Sequence, residues 1–157
     1  MQVLDLRHDH IKVIGSRSVS ALMDYILDNL AIGNYHDSLN PPAEITGILC
    51  VAQEKDVQNK SLFWHKVPII DMRPIPLEQL KEAITWIRSA HAQGHRVLVF
   101  CNEGIGRSSS VVIAYLCWRF GFGFGEAVEY VARRRPSISI LPNLISSIDS
   151  LLGQRLP

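Results

Sequence analysis

Cysteine is scarce in this sequence, with Cys50, Cys101 and Cys117 the only three among 157 residues. An odd number of scattered cysteines does not suit a disulfide framework, so we expect all three thiols to be reduced. The sequence also has no Cys-x-x-Cys pair, which argues against a structural zinc site. We therefore expect a protein that needs no metal, and no motif indicates another cofactor.

Long apolar runs and an excess of charge are missing as well. No run approaches the roughly 20 residues that a membrane span requires, and MQVLDLRHDHIK carries charges where a signal peptide would be apolar. A net charge of +1 gives no indication of nucleic-acid binding. The length is typical of one globular domain. We therefore expect a cytoplasmic single-domain protein, spanning residues 1–157, that binds neither membranes nor nucleic acid.

The apolar pattern predicts an α/β fold. The near-continuous apolar residues of EITGILCVA, LFWHKVPII and HRVLVF predict strands of a central, mostly parallel sheet covered on both faces. LDNLAIGNYHD predicts two short strands near the sheet edge. Flanking helices are predicted at LEQLKEAITWIRSAHAQG, SSSVVIAYLCWRFG, GEAVEYVARRRP and LPNLISSIDSLL, and the first three end at Gly94, Gly121 and Pro136.

The segment VLVFCNEGIGRSSS combines several groups that bind and react with phosphate. It places Cys101 at the C-terminal end of a predicted strand, where α/β proteins bind ligands. A helix is expected to begin near Arg107 or Ser108, and helix N-termini bind anions. Gly104 and Gly106 allow the loop to turn its N–H groups inward. These surroundings favour a thiolate, so we predict a nucleophile beside an anion site; the alternative is a buried structural cysteine.

The stretch CNEGIGRSS matches the Cys-x5-Arg-Ser/Thr signature of the cysteine-dependent protein tyrosine phosphatases. LDNLAIGNYHDS, ITGILCVA, VPIID and RRRPSISILPN resemble flanking segments of the small dual-specificity class in the same order, over about residues 24–152. The resemblance implies that Cys101 attacks phosphorus and that Arg107 binds the phosphoryl oxygens. It also implies that Ser108 assists the departure of the cysteine and that Asp71, after VPII, is the general acid. The implied phosphate loop consists of Asn102, Glu103, Gly104, Ile105 and Gly106.

Other positions add to this resemblance or depart from it. Phe100 stands where the family usually has a histidine that organises the loop by hydrogen bonding. Asn143 resembles a late polar residue that supports the phosphate loop, with an ordinary helix N-cap as the alternative. Cys50 resembles a second cysteine that protects an oxidised nucleophile in some members, with structural burial as the alternative. The arginine run at 133–135 is interpreted as a solvated helix end favoured by the helix dipole, with substrate steering as the alternative.

The resemblance implies a phosphatase whose substrate is a phosphorylated protein carrying phosphotyrosine, phosphoserine or phosphothreonine. Because Asn102, Glu103 and Ile105 are not basic, we expect a monophosphate ester rather than a highly phosphorylated inositol lipid. Two alternatives stay open. One is a phosphatase for a non-protein ester, such as a sugar, a lipid or an RNA 5′ end. The other is a phosphate-binding module with impaired catalysis.

Overall fold

The computed structural model describes residues 3–5, 10–12, 23–154 and 156, so the predicted domain of residues 1–157 includes positions outside this description. A central sheet of five strands has the order β3-β4-β7-β5-β6, and β1 and β2 pair separately as an antiparallel ribbon. The strands are β1 (Val3–Asp5), β2 (His10–Lys12), β3 (Asp24–Leu27), β4 (Leu30–Gly33), β5 (Gly47–Cys50), β6 (Phe63–Lys66) and β7 (Val97–Phe100).

The central sheet is mostly parallel, as predicted. Only β3 and β4 pair antiparallel within it, whereas the β4–β7, β7–β5 and β5–β6 pairs are parallel. Every residue of β4, β5 and β7 is buried, which requires cover on both faces of these strands. Gly33 and Cys50 are both in register with Phe100. The chain segments that follow these three strands therefore emerge together at one edge.

Five helices pack around this sheet in the described part of the chain: α1 (Tyr35–Leu39), α2 (Leu77–Ala92), α3 (Arg107–Phe120), α4 (Phe124–Arg134) and α5 (Leu144–Leu152). The four predicted helices are confirmed, and α3 ends at Gly121, whose φ of 72° lies in the left-handed region that glycine tolerates. Helix α1 was not predicted, because it is too short for an apolar period. It is fixed locally by a capping box between Asn34 and Asp37.

Strand β6 is shorter than the sequence indicated. We expected LFWHKVPII to continue as a strand to Asp71, but β6 ends at Lys66. Pro68 has no N–H to donate and cannot extend the ladder. The chain stays close to the sheet edge, because the carbonyl of Ile69 accepts a hydrogen bond from the N–H of Gln53 (3.0 Å). Asp71 consequently lies in a loop, two residues after this anchored carbonyl.

Helix α3 is the centre of the core. Its residues from Arg107 to Cys117 are all buried, and it contacts α2, α4, α5, β4 and β7. Such burial fixes the position of its first turn, which follows the predicted phosphate loop directly. None of the helices in the described residues is long and apolar enough to cross a membrane.

Candidate active site

The loop between β7 and α3 brings two hydrogen-bonding groups to the sulfur of Cys101. The N–H of Gly104 donates to Sγ over 3.2 Å, and the hydroxyl oxygen of Ser108 also lies 3.2 Å from Sγ. Cys101 is only 2% exposed and precedes the N-terminus of α3 by six residues. The sulfur thus faces a backbone N–H, a hydroxyl group and the N-terminal end of a helix. The predicted nucleophile, loop and Ser108 hydroxyl therefore lie together.

The carbonyl groups of the loop are held by neighbouring segments. The Asn102 carbonyl accepts from the N–H of Tyr35 (3.0 Å), at the start of α1, and the Ile105 carbonyl accepts from the N–H of Ser139 (3.0 Å). With these carbonyls bonded outside, the loop can present N–H groups to an anion, as the Gly104 N–H does to sulfur. The glycine-rich loop is thus held as a nest by backbone contacts from two sides.

Arg135 holds a third loop carbonyl and corrects our interpretation of the last residue of the arginine run, whereas Arg133 is exposed in the last turn of α4 as expected. Its Nε donates to the carbonyl of Gly104 over 2.7 Å, and its Nη1 donates to the carboxylate of Asp24 on β3 over 2.9 Å. The side chain is 11% exposed, so it is not a solvated helix end. Gly104 has a φ of 71°, and a Cβ there would lie 2.6 Å from both Arg135 Nη2 and the Gly33 carbonyl. Only glycine fits this point of the loop.

Arg107 lies at the base of the site with a side chain that is 3% exposed. Its two terminal nitrogens each donate to a carboxylate oxygen of Glu54 over 2.6 Å, and Nη1 also donates to the Ile69 carbonyl (3.1 Å). The remaining Nε lies 3.8 Å from Oδ1 of Asp71, beyond hydrogen-bonding distance. A bidentate pair of this kind fixes the plane of the guanidinium. Nε is consequently held between the Cys101 loop and Asp71.

Glu54 is a residue of the candidate site that sequence reasoning missed. Its paired carboxylate accepts two hydrogen bonds from Arg107, which lowers its pKa to about 2 and raises the pKa of the guanidinium. Glu54 lies in the loop after β5, and β5 is a parallel neighbour of β7. The sequence does place this carboxylate close to the C-terminal end of a predicted parallel strand, where functional groups converge. Glu54 was not predicted because no short motif links it to Arg107.

We expect Glu54→Gln to reduce kcat/KM for a small aryl phosphate by about 10- to 100-fold, because a guanidinium released from its plane no longer aims Nε into the site. The loss should lie mainly in kcat, and the affinity for vanadate should fall with it. Steady-state kinetics and vanadate inhibition measure both quantities. Glu129→Gln is the matched control, since Glu129 pairs with the exposed Arg133 on α4 and should leave the kinetics unchanged. Equal kinetics for both variants would contradict a positioning role for Glu54.

The same pair predicts a dependence of stability on acid pH. Because folding lowers the pKa of Glu54 from 4.5 to about 2, the carboxylate stabilises the folded state above pH 4.5. That contribution disappears as the pH falls through about 2. Urea unfolding between pH 6 and pH 2 should therefore show the stability difference between wild type and Glu54→Gln shrinking toward low pH. A difference that stays constant would show that ionisation of the Glu54 carboxyl does not contribute to stability.

Asp71 lies at the mouth of the site. One of its carboxylate oxygens, Oδ1, accepts a hydrogen bond from the N–H of Met72 (2.9 Å) and is the atom that lies 3.8 Å from Arg107 Nε. The side chain is 53% exposed. The structure therefore brings the predicted acid to the same cavity as Cys101, although it reaches that position from a loop rather than from a strand end.

These groups surround a cavity of about 410 Å³. Of the predicted loop residues, Glu103, Ile105 and Gly106 line it, while Asn102 and Gly104 shape the loop through the backbone bonds described above. The residues that line the cavity are Asp71, Met72, Cys101, Glu103, Ile105, Gly106, Arg107, Ser139, Ile140, Leu141 and Pro142.

Asn143 is placed outside this lining. It is exposed at the N-cap of α5 with a φ of 59°, and its side chain makes no capping hydrogen bond to the helix. The preceding segment performs the supporting contacts instead. The N–H of Leu141 donates to the hydroxyl of Ser110 on α3 (3.0 Å), and Ser139 holds the loop as described. A role for Asn143 in supporting the phosphate loop therefore stays a prediction without a contact that favours it.

Phe100 and Cys50 lie next to each other in the sheet, behind the loop. Phe100 is fully buried, and its ring centroid lies 6.3 Å from that of Tyr35. Cys50 is also fully buried, and its thiol lies 3.3 Å from the carbonyl of Lys55; burial raises the pKa of the thiol. Phe100 therefore makes an apolar ring contact at the position where the resemblance predicted a hydrogen-bonding histidine. Redox protection by Cys50 stays a prediction.

The sequence contains one His-x-x-x-His spacing, at His91 and His95, but the two rings have separate partners. The ring nitrogens of His91 lie 3.0 Å from the Tyr115 hydroxyl and 2.9 Å from the Asn29 carbonyl. Nδ1 of His95 lies 2.9 Å from the hydroxyl of Thr46. Within residues 23–154, no group of three histidine, cysteine or acidic side chains is placed to hold a metal ion.

Comparison with known proteins agrees with this geometry. A family model described as "Dual specificity phosphatase, catalytic domain" matches residues 30–151. Dual specificity protein phosphatase 15 of Mus musculus is 29% identical over 119 residues, which cover 73% of this chain and 51% of the relative. Dual specificity protein phosphatase 2 of Mus musculus is 35% identical over 114 residues, covering 71% of this chain and 34% of the relative. The chain thus spans about half or less of the length of these relatives.

A similar solved structure is that of the human tyrosine phosphatase-like serine/threonine/tyrosine-interacting protein. The TM-score is 0.73 and the sequence identity is 26%, with 82% of this chain and 93% of that chain covered.

Proposed function

This chain belongs to the family of dual specificity phosphatase catalytic domains, and we propose that it hydrolyses phosphate monoesters through a cysteinyl-phosphate intermediate. The proposal rests on a buried hydrogen-bond donor in the site, Nε of Arg107, that has no acceptor in the part of the chain that the structure describes. Arg107 Nε and Ser109 Oγ are the two buried side-chain polar atoms without a hydrogen-bond partner in the described residues, and both belong to the first turn of α3. A phosphoryl oxygen in the cavity would accept from Nε and satisfy it.

In the first step, the Cys101 thiolate attacks phosphorus and the bond from phosphorus to the leaving oxygen breaks. Arg107 Nε and the loop N–H groups stabilise the equatorial oxygens, on which negative charge is distributed in the transition state. Asp71 protonates the leaving oxygen, so an alcohol or phenol departs and the phosphoryl group stays on sulfur. The carboxyl of Asp71 is half exposed and lines the same cavity as Cys101, so it is accessible to a leaving group bound there.

In the second step, water attacks the cysteinyl phosphate. Asp71, now ionised, accepts a proton from that water, and the phosphorus–sulfur bond breaks to release phosphate. The Ser108 hydroxyl, 3.2 Å from Sγ, can donate to the departing thiolate and stabilise its negative charge. The residues at the site supply each proton and charge that these two steps require.

Asp71→Asn tests the assignment of the acid. We expect kcat/KM, which reports the first step alone, to fall by about 10²- to 10⁴-fold for phosphotyrosine, whose leaving group needs protonation, and to fall less for an aryl phosphate with a more acidic phenol. The measurement is kcat/KM for both substrates in buffer containing EDTA, because no step needs a metal. Asp56→Asn is the control, since Asp56 pairs with Lys66 outside the cavity. An equal loss for both substrates would remove Asp71 as the acid.

The substrate we propose is a phosphorylated protein in the cytoplasm. Both similar proteins from Mus musculus are named protein phosphatases, which supports a phosphorylated protein as the substrate. The rival, a phosphate-binding module without turnover, is favoured by Phe100 alone. It predicts that the wild-type chain binds vanadate but releases no phosphate from any of these esters.

A further inference from the structure

Exposed apolar side chains lie among the residues that line the cavity. Met72 is 81% exposed, Ile140 42% and Ile105 36%, and all three line the cavity. We call these three side chains the apolar rim. Isolated exposed apolar residues are ordinary, but a group of them around a concave site marks a binding surface. The rim therefore needs an explanation beyond phosphate binding, which the loop and Arg107 perform.

The apolar rim is built on fixed backbone. Met72 adopts a left-handed φ of 60°, and its N–H is held by the carboxylate of Asp71. Ile140 lies between two anchored residues, because the N–H of Ser139 bonds to the Ile105 carbonyl and the N–H of Leu141 bonds to Ser110. The rim is thus tied to the acid, to the phosphate loop and to α3. Its apolar surface is held in place before a substrate arrives.

The charges at the mouth limit what can bind there. Asp71 and Glu103 both line the cavity, and Arg107 is the one basic residue among the described residues that do so. The guanidinium of Arg107 is itself flanked by two carboxylates, those of Glu54 and Asp71. A second phosphate beside the first would meet carboxylates at the mouth. An anionic membrane surface would be repelled in the same way, since membrane-binding surfaces present lysine and arginine.

We propose that the apolar rim binds apolar side chains next to a single phosphorylated residue in a protein segment. This inference rests on the proposed phosphatase function and narrows its substrates. The phosphate would occupy the loop below the rim, and the neighbouring apolar side chains would contact Met72 and Ile140. A segment with acidic or phosphorylated neighbours would lose those contacts and face Asp71 and Glu103.

The test compares matched phosphotyrosine peptides as substrates of the full chain. One peptide has leucine on both sides of phosphotyrosine, a second has glutamate at the same two positions, and a third has phosphoserine there. We expect kcat/KM to be about tenfold or more higher for the leucine peptide than for the other two. Met72→Gln and Ile140→Gln should each lower this ratio by about threefold or more, while the part of the ratio that comes from repulsion by Asp71 and Glu103 remains. Leu152→Gln is the control, because Leu152 is 50% exposed at the end of α5, outside the cavity, and the ratio should persist.

The outcomes separate this inference from the proposed function. If an aryl phosphate is hydrolysed but the three peptides react equally, or the ratio survives both rim variants, the rim does not select apolar neighbours. If vesicles of phosphatidylcholine with a phosphatidylinositol monophosphate are dephosphorylated faster than the leucine peptide, the rim serves a lipid and the inference is wrong. If no ester is hydrolysed at all, the phosphatase function itself fails. Thermal unfolding of each variant checks that its fold is intact.

Discussion

Replacing Cys101 by serine should reduce hydrolysis of a small aryl phosphate on the order of 10⁴-fold or more, because a serine hydroxyl is a far weaker nucleophile than a thiolate at neutral pH. Phosphate and vanadate should still compete for the site, since Arg107 and the loop N–H groups stay in place. The measurement is the initial rate of phosphate release, together with binding of a phosphopeptide by calorimetry. Loss of turnover with binding retained is the expected combination.

Cys117→Ala is the matched control for this experiment. Cys117 is also a buried free thiol, but it lies on α3 away from the cavity lining, so its removal should leave turnover unchanged. Rapid denaturation of the wild-type chain during turnover should trap phosphate on the peptide that contains Cys101. Full activity of Cys101→Ser, or phosphate trapped on another residue, would disprove the nucleophile assignment.

The second large effect is expected for Arg107→Lys. Lysine keeps the positive charge but has a single nitrogen, so it cannot bond both oxygens of Glu54 and also aim a donor at the phosphoryl group. We expect kcat/KM to fall by about 10²- to 10³-fold, the usual cost of removing an oxyanion donor. The inhibition constant of vanadate should rise in parallel, because the same geometry binds the transition-state analogue.

Arg133→Lys provides the comparison, because Arg133 makes an exposed pair with Glu129 and has no part in the cavity. Combining Arg107→Lys with Glu54→Gln tests whether the two residues act as a unit. If they do, the double variant should lose little more than Arg107→Lys alone. Losses that multiply would show that Glu54 acts independently of the guanidinium, and activity of Arg107→Lys within threefold of wild type would disprove the oxyanion role.

The core of the site was predictable because its parts are consecutive in the chain. Cys101, the glycines and Arg107 lie between one strand and one helix, so a short motif with its flanking periodicity fixes the loop and the helix start. The ends of α2 and α3 were predictable for the same reason, because each is followed by a glycine, Gly94 or Gly121, that adopts a positive φ. The parallel character of the sheet followed from its apolar strands, and the register of β4, β5 and β7 confirms it.

Predictions that depended on neighbours far along the chain were less successful. Arg135 was interpreted as solvated because its partners are Asp24 and Gly104, 111 and 31 residues away. Asp71 was assigned to a strand end, and Pro68 instead ends β6 and leaves the acid in a loop. Helix α1 went unnoticed because a capping box, rather than an apolar period, stabilises it.

By itself, the sequence determined an α/β domain with a cysteine, a glycine loop and an arginine in the order that phosphate chemistry requires. Only the tertiary structure decided that Glu54, 53 residues from Arg107, pairs with the guanidinium and that exposed apolar side chains line the same cavity as Cys101. The physical reason is that the loop is a local backbone conformation encoded by adjacent residues. The orientation of Arg107 and the rim, by contrast, arise where separate loops meet at one edge of the sheet.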